Sequence, residues 1–243
     1  MRFGITRFET GKGCFSSVIS LAGRFLLFLL LSVTGTVSAQ TDSKTARSMV
    51  DQGLVRVRSL DSTIHVSLMY GRADNFTGTV LYDDLRDAYL HPKAAEAIVK
   101  AQRRLKELHP EYSLIIFDAA RPMSVQRKMY DKVKNTPKYF YVSNPANGGG
   151  LHNYGMAVDI SICRADGDTI PMGTLVDCMS SLSHIDNESA LVANGSISRP
   201  AKANRELLRE VMRYAGFTAL RTEWWHFNLI SRATAKKYYK VIE

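Results

Sequence analysis

The sequence predicts an α+β domain in which an antiparallel sheet is flanked by helices. Three kinds of segment indicate this class: short apolar runs typical of strands, amphipathic stretches at helical spacing, and glycine-rich turns between them. Strands and helices follow one another in an irregular order, whereas a doubly wound parallel sheet requires regular alternation. With 243 residues, of which 45% are hydrophobic, the chain is long enough for one well-buried domain.

The first 39 residues have the composition of a secretory signal peptide. Residues 25–33 read FLLFLLLSV, and Val37, Ser38 and Ala39 resemble a small-residue cleavage site. The basic residues of this leader are Arg2, Arg7, Lys12 and Arg24. An uncleaved membrane anchor is the alternative, but a span requires about twenty apolar residues. The sequence therefore predicts export to the periplasm or the cell exterior, with no transmembrane segment after signal cleavage.

The rest of the chain divides into a short terminus and one domain. We expect residues 40–53 to be a flexible N-terminus because they are mostly polar, and residues 54–243 to be the folded domain. Removing residues 1–39 leaves 28 basic and 22 acidic residues, so the formal net charge falls from +9 to +6. The basic residues are spread along the sequence rather than interleaved with aromatics, which argues against nucleic-acid binding. Weak attraction to an anionic envelope and an ordinary solvated surface both fit this charge.

Periodicity places the elements along the chain. Residues 63–70 alternate in part and indicate a strand, and residues 91–108 have the apolar spacing of a helix. Residues 112–118 form an apolar strand that ends just before Arg121, and a polar helix follows. The remaining elements are two strands and two helices, at residues 156–162, 223–229, 201–216 and 233–239. We expect residues 164–200 to be mostly loop.

A histidine and a carboxylate stand seven positions apart in the segment GLHNYGMAVDIS. In an extended chain, His152 and Asp159 would lie roughly 23 Å apart, far beyond one metal ion with bonds of about 2 Å. The loop must therefore fold back if the two residues act together. Glycines give the backbone that freedom; they are Gly148, Gly149, Gly150 and Gly155. Taken alone, the pair could equally be a surface histidine and a loop-capping aspartate.

A second polar pair lies in the aromatic segment EWWHF. Glu223 and His226 stand among large apolar rings, where polar groups without partners are costly. A zinc site of two imidazoles and one carboxylate, with a fourth position left to water, would provide partners for His152, Asp159 and His226. Glu223 would then be the general base that passes a proton from water to the leaving amine. The same ligands could also take cobalt or nickel.

The spacing of Glu223 and His226 raises a geometric question. The two positions differ by an odd number, so a regular strand would direct the side chains to opposite faces of the sheet. Either the strand bulges, or Glu223 precedes it in the turn.

Arg121 completes the predicted constellation. It stands at a junction between a strand and a helix, in the segment FDAARP. A guanidinium there could stabilise the oxyanion that forms when water attacks a carbonyl. The alternative is a structural role, which is common for an Arg-Pro pair at the end of a strand.

The two cysteines after the leader are Cys163 and Cys178. Export to an oxidising compartment would allow them to form a disulfide, and two buried thiols are the alternative. Sequence separation does not decide between them, because a disulfide depends on the distance between the Cα atoms.

Taken together, the motifs resemble those of the D-alanyl-D-alanine dipeptidases of the vancomycin-resistance type. GLHNYGMAVD resembles their His-x6-Asp zinc motif and EWWHF their Glu-x-x-His motif, and ADNFTG and FDAARPMSVQ are similar as well. The likeness runs from about Ile64 to Asn228. The double tryptophan is closer to the dipeptidases than to the related carboxypeptidases.

The resemblance implies a fold, a cofactor and roles for six residues. The fold would be the α+β zinc-peptidase fold shared with hedgehog signalling domains. One zinc ion would lie on His152, Asp159 and His226, with Glu223 as base and Arg121 stabilising the transition state. Asp177, in the segment MGTLVD, matches a family aspartate that would lie near the ammonium group of the substrate.

The chain departs from the family pattern in two places. The family usually has serine two positions before the first histidine, where this sequence has Gly150. The resistance enzymes also lack an export signal, so trimming of envelope peptides or salvage of dipeptides fits this chain better than drug resistance.

These observations favour a zinc dipeptidase acting on D-Ala-D-Ala or a similar short D-amino-acid dipeptide. The alternatives are a D,D-carboxypeptidase or endopeptidase on peptidoglycan stem peptides, and a zinc-containing binding module without turnover. The presence of both Glu223 and Arg121 argues against the binding module.

Overall fold

The computed structural model describes residues 43–243, and a central sheet organises this part of the chain. The strands are β1 (Val55–Arg56), β2 (His65–Val66), β3 (Tyr89–Leu90), β4 (Tyr112–Asp118), β5 (Ala157–Arg164), β6 (Thr218–Leu220) and β7 (Glu223–Asn228). Five of them form the sheet, in the order β2-β4-β5-β7-β6, while β1 pairs with β3. Neighbours in the sheet are antiparallel except for β2 and β4, which are parallel. The predicted antiparallel sheet is confirmed apart from this edge pair.

The helices surround the sheet and confirm the predicted α+β class. They are α1 (Lys44–Asp51), α2 (Val57–Leu60), α3 (Pro92–Leu108), α4 (Met123–Val133), α5 (Glu188–Ala193), α6 (Arg199–Tyr214) and α7 (Arg232–Tyr238). His91 caps the start of α3, and its ring nitrogen accepts a hydrogen bond from the backbone N–H of Lys93. Gly216 follows the end of α6 with a φ of 101°, the left-handed conformation predicted for this position.

The main hydrophobic core lies between one face of the sheet and the helices α3 and α6. Alternate residues of β5, namely Val158, Ile160 and Ile162, belong to this core and are fully buried. Because side chains alternate along a strand, Asp159 and Ser161 are directed to the opposite face. That face carries the candidate active site. A second apolar cluster packs around α1 and α4.

The segment expected to be a flexible N-terminus contains a helix in the residues that the structure describes. Residues Lys44–Asp51 form α1, and Ser43 accepts a hydrogen bond from the backbone N–H of Ala46 as its N-cap. Ala46 and Met49 are buried in the second apolar cluster. The polar composition concealed this helix, because only two apolar residues at helical spacing anchor it.

Two other segments differ from the expected pattern. Within residues 63–70 only His65–Val66 is a strand, and Met69–Gly71 forms a 3₁₀ helix. The predicted loop at residues 164–200 is interrupted by Ser181–Ser183, a 3₁₀ helix, and by α5. Tyr70 of the first 3₁₀ helix lines the candidate active-site cavity, and so do Asp177 and Met179 from the second segment.

The predicted signal peptide, residues 1–39, lies outside the described residues. Residues Thr41–Glu243 form a compact unit by themselves, and this unit contains both apolar clusters. We therefore expect a chain that begins at Thr41 to fold independently. Within residues 43–243, no helix combines the length and apolar character that crossing a bilayer requires.

Candidate active site

A cavity of about 560 Å³ opens on the face of the sheet opposite α3 and α6. Its volume is within the usual range for a small-molecule site. All six residues that the sequence predicts for the site line it: Arg121, His152, Asp159, Asp177, Glu223 and His226. Three of the six, Arg121, His152 and Asp177, come from loops or turns, and the other three lie in β5 and β7. The structure thus brings together residues that are more than 100 positions apart in the sequence.

A tight turn before β5 brings His152 back toward Asp159. Residues Leu151–Tyr154 form a 3₁₀ helix that ends at Gly155, which has a φ of 63°. A Cβ on Gly155 would lie 2.8 Å from the backbone nitrogen of His91, so the close approach also requires glycine. As a result His152 Nε2 lies 3.4 Å from Asp159 Oδ1. The predicted folding back of this loop is confirmed.

Strand pairing brings Asp159 and His226 together. The two residues are direct partners in the antiparallel ladder of β5 and β7, so their side chains leave the same face of the sheet. His226 Nδ1 lies 3.0 Å from Asp159 Oδ1 and 3.2 Å from His152 Nε2. The three atoms therefore form a nearly equilateral triangle.

Hydrogen bonds on the far side of each ring determine which nitrogen faces the triangle. His152 Nδ1 lies 2.7 Å from the backbone carbonyl oxygen of Ala119, which can only accept, so Nδ1 carries the proton. His226 Nε2 lies 2.9 Å from Asn228 Oδ1 and donates to it in the same way. The remaining nitrogens, each with a lone pair, face each other beside a carboxylate. Such an arrangement of electron-pair donors is repulsive without a cation between them.

The triangle fits a tetrahedral metal ion. Two ligands bound at about 2.1 Å with a tetrahedral angle are about 3.4 Å apart, and the three observed separations are 3.0, 3.2 and 3.4 Å. Among the described residues, His152, Asp159 and His226 are the one group of three or more metal-ligating side chains with atoms this close. Burial alone would raise the pKa of Asp159, but the two imidazoles lower it well below its ordinary value. The donor set is therefore suited to a divalent ion.

Glu223 reaches the site because β7 bulges. Leu220 pairs with Glu223 and Ala219 with Phe227, so one step along β6 matches four steps along β7. The bulge answers the question of strand parity, and Glu223 Oε2 lies 4.0 Å from His226 Nδ1. Burial raises the pKa of Glu223 to about 7. A carboxylate of this kind can both accept and release a proton near neutral pH.

Arg121 is held rigidly at the wall of the cavity. Its Nε donates to Asp118 Oδ2 at 3.0 Å and its Nη1 donates to Gln126 Oε1 at 2.9 Å. Burial alone would lower the pKa of Arg121, but the negative charge of Asp118 helps to raise it well above its ordinary value. The guanidinium is therefore a fixed positive charge that requires no rearrangement to interact with a developing anion.

Asp177 lies at another side of the same cavity. It accepts hydrogen bonds from the hydroxyl of Tyr70 at 3.0 Å and from the backbone N–H of Phe76 at 3.2 Å. Burial raises the pKa of this carboxyl to about 6. Among the described residues, Asp177 is also the one non-glycine residue with a positive φ, 69°. A partly buried carboxylate in an uncommon backbone conformation is typical of a binding site.

Gly150 leaves room for a neighbouring hydroxyl. Ser143 Oγ lies 2.9 Å from the position that a Cβ on Gly150 would occupy, and both residues line the cavity. A hydroxyl group is therefore present beside Gly150 at this part of the wall.

Several residues of the site were not predicted from the sequence. Asp118 and Gln126 hold Arg121, Asn228 supports His226, and Tyr70 supports Asp177. Two of them could have been recognised, because Asp118 precedes Arg121 by three residues and Asn228 shares a strand face with His226. Tyr70 had no signal, since it is 107 residues away from Asp177.

Both cysteines of the described region are free thiols. Cys163 is buried on β5 and Cys178 is partly buried in the loop that carries Asp177. The structure therefore shows two unpaired thiols rather than a disulfide.

Comparison with known proteins identifies the family. A model of the D-ala-D-ala dipeptidase family of peptidases matches residues 50–243. The chain belongs to this family. Its members are metallopeptidases, which agrees with the metal-binding geometry of the cavity, and the resemblance of the sequence motifs is confirmed.

Individual relatives support the assignment. A D-alanyl-D-alanine dipeptidase of Escherichia coli (strain K12) is 30% identical over 183 residues, which cover 74% of this chain and 86% of the relative. A D-alanyl-D-alanine dipeptidase of Enterococcus faecium is 29% identical over 206 residues, covering 74% of this chain and 94% of the relative. A third, from Enterococcus faecalis, is 27% identical over 190 residues, covering 70% and 88%.

Proposed function

We propose that the protein is a zinc-dependent dipeptidase that hydrolyses D-alanyl-D-alanine or a similar short D-amino-acid dipeptide. The observation that carries this proposal is the triangle of His152 Nε2, Asp159 Oδ1 and His226 Nδ1, with sides of 3.0 to 3.4 Å. It occurs beside Glu223 in a chain of the dipeptidase family. Two imidazoles and a carboxylate with an open fourth position are typical of a catalytic zinc site.

Glu223 is the proposed general base. His152, Asp159 and His226 would hold the zinc ion, which would supply Lewis-acid activation of a water molecule and of the substrate carbonyl. The carboxylate of Glu223 takes a proton from the attacking water and delivers it to the nitrogen of the leaving amino acid. The aromatic residues around Glu223 keep it buried, and burial raises its pKa to about 7, which suits a group that accepts and donates in one cycle.

Arg121 is proposed to act on the carbonyl oxygen of the reacting dipeptide, and Asp177 is proposed to bind its ammonium group. The guanidinium of Arg121, held by Asp118 and Gln126, stabilises the negative charge that develops on the carbonyl oxygen. The ammonium group of the dipeptide donates hydrogen bonds to the carboxylate of Asp177. A free ammonium group at a fixed distance from the scissile bond would favour dipeptides over longer chains.

The proposed site of action is outside the cytoplasm, in the periplasm or at the cell exterior. The composition of residues 1–39 supports this, since it is typical of a secretory signal. Substrates there would be dipeptides, or fragments released from peptidoglycan. Trimming of envelope peptides or salvage of dipeptides is the role that fits.

The first test is a comparison of three substrates with the chain from Thr41 onward, purified with zinc. They are D-Ala-D-Ala, L-Ala-L-Ala and a pentapeptide that ends in D-Ala-D-Ala, and released amino acids are measured. The proposal predicts release from the D,D-dipeptide alone. Trimming of the pentapeptide would assign the protein to the carboxypeptidases, and no turnover of any substrate would favour a binding module.

A second test addresses the role of Glu223. Glu223→Gln should lower kcat about a thousandfold while zinc content stays at one ion per chain, because the amide cannot accept a proton. Glu210→Gln, at an exposed position of α6, is the matched control and should leave kcat unchanged. Wild-type turnover by Glu223→Gln would refute the assignment of Glu223 as base.

A further inference from the structure

One side of the molecule concentrates positive charge. The solvent-exposed residues of α4 and the turn that follows include five basic side chains, Arg127, Lys128, Lys132, Lys134 and Lys138, which we call the basic face. Asp131 is the one exposed acidic residue between positions 124 and 140, and it forms an ion pair with Lys134. The exposed charges of this segment therefore sum to +4, which is a large part of the +6 of the chain after residue 39.

Helical geometry gathers these charges on one surface. Lys128 and Lys132 are four residues apart on the exposed face of α4 and Arg127 neighbours Lys128, while Met129 and Val133 are buried. Hydrogen bonds from the backbone N–H groups of Thr136 and Tyr139 then fold the chain into tight turns. Only tight turns therefore separate Lys138 from the end of α4. Along the whole sequence the basic residues are spread and are not interleaved with aromatics, but the segment from α4 to Phe140 is an exception.

Two aromatic side chains extend from the end of the basic face. Tyr139 is 56% exposed and Phe140 is 61% exposed. They are the one pair of consecutive residues among the large hydrophobic side chains that are exposed in the described part of the chain. Leaving both rings in water is unfavourable, and a solvated basic helix face alone does not account for them.

We propose that the basic face, together with Tyr139 and Phe140, is a docking surface for an anionic lipid bilayer. The negative surface potential of anionic headgroups attracts lysine and arginine side chains. Aromatic side chains are favoured in the headgroup region, where an apolar ring meets water on one side. A single-stranded nucleic acid would instead require a positively charged groove with rings open for stacking, whereas Phe140 is already packed at 4.3 Å against Tyr141.

The surface adjoins the entrance to the active site. Tyr141, Val142 and Ser143 follow Phe140 directly and line the cavity, and Gln126, on the buried side of α4, holds Arg121. Docking would therefore keep the cavity close to the membrane. Peptides released at an envelope surface would then reach it at a higher local concentration.

Vesicle binding tests the proposal with the chain from Thr41 onward in its zinc form. Vesicles of phosphatidylcholine alone are compared with vesicles containing one third phosphatidylglycerol, and bound protein is measured by co-sedimentation. We expect binding to the anionic vesicles only, and its loss at about 0.5 M salt, where screening is strong. Equal binding to both vesicles, or to neither, would overturn the proposal.

Variants locate the surface. Lys128→Gln, Lys132→Gln and Lys138→Gln combined should weaken binding about a hundredfold, and Phe140→Ser about tenfold. The matched control, Arg103→Gln, Arg199→Gln and Lys240→Gln combined, makes the same change of net charge at exposed positions elsewhere. It should weaken binding far less. All three proteins should hydrolyse the soluble dipeptide at the wild-type rate.

Two results would contradict the location or the partner. An equal loss of binding in the control variant would show that net charge alone is responsible. Binding of single-stranded DNA that is stronger than vesicle binding, and is lost in Phe140→Ser, would show that the surface serves a different partner.

Discussion

The guanidinium of Arg205, which is fully buried, donates a hydrogen bond of 2.6 Å to the backbone carbonyl oxygen of Met172. It also donates to the carbonyl oxygen of Leu182 at 3.1 Å. These two contacts fasten both ends of the loop that carries Asp177 to helix α6. Trp224, next to Glu223, donates to Thr174 in the same loop at 2.7 Å. The loop is thus joined to the strand that carries the proposed base.

Arg205→Leu should therefore destabilise the protein by about 3 kcal/mol, because it removes one partner of buried Glu188 and leaves two carbonyl groups without donors. Urea denaturation measures the change. Arg213→Leu, at an exposed position of the same helix, is the control and should cost less than about 0.5 kcal/mol. Equal losses in the two variants would show that the buried contacts of Arg205 contribute nothing.

The contact between Asn228 and His226 leads to a prediction about metal affinity. Asn228 Oδ1 fixes the ring of His226 at 2.9 Å, so that Nδ1 faces the metal site. Asn228→Ala should raise the Kd for zinc about tenfold to a hundredfold, as is usual when a ligand loses its supporting contact. Competition with a chromophoric chelator measures it. Asn194→Ala, at an exposed position, should bind zinc as the wild type does, and an unchanged Kd in Asn228→Ala would contradict the role.

The motifs were visible in the sequence because they are local. The spacing from His152 to Asp159, and that from Glu223 to His226, are both short, and each motif contains the chemistry that identifies it. The predicted strands at residues 112–118 and 223–229 were nearly correct, since apolar runs of this length have few other solutions. Helix α3 was predicted for the same reason, as its buried face is long and regular.

What the sequence did not predict depends on contacts between distant segments. The triangle exists because β5 and β7 pair with Asp159 opposite His226, and no pattern in either strand sets that register. The bulge in β7 depends on β6 in the same way. Helix α1 was missed because its two buried residues, Ala46 and Met49, are stabilised by a distant apolar cluster rather than by their neighbours.

Cys163 should be chemically inert in the folded protein. It is fully buried, and burial raises the pKa of its thiol to about 11, so almost no thiolate exists at pH 8. Iodoacetamide should modify it only after unfolding, while partly buried Cys178 serves as the internal comparison. Peptide mass spectrometry distinguishes the two sites. Rapid alkylation of Cys163 in the native protein would contradict the buried position.

The charged carboxylate of Asp177 should lower the free energy of unfolding above about pH 6. Its pKa is raised from 3.8 to about 6, so the folded protein binds a proton more tightly there than the unfolded chain does. The contribution of Asp177 to the stability of the wild type therefore falls as pH rises from about 4 through about 6. Asp177→Asn removes this charge, and asparagine tolerates the φ of 69°. The variant should be about 1–2 kcal/mol more stable than the wild type at pH 8, and its advantage should disappear at pH 4.

The same substitution should damage catalysis in a specific way. Without the carboxylate, the ammonium group of the dipeptide loses its partner, so we expect KM to rise about tenfold or more while zinc content is unchanged. Asp177→Ala separates the two effects, since it also loses the hydrogen bonds from Tyr70 and Phe76 and places alanine at a positive φ. That variant should be less stable than Asp177→Asn at every pH. An unchanged KM in Asp177→Asn, measured at pH 8, would show that the ammonium group binds elsewhere in the cavity.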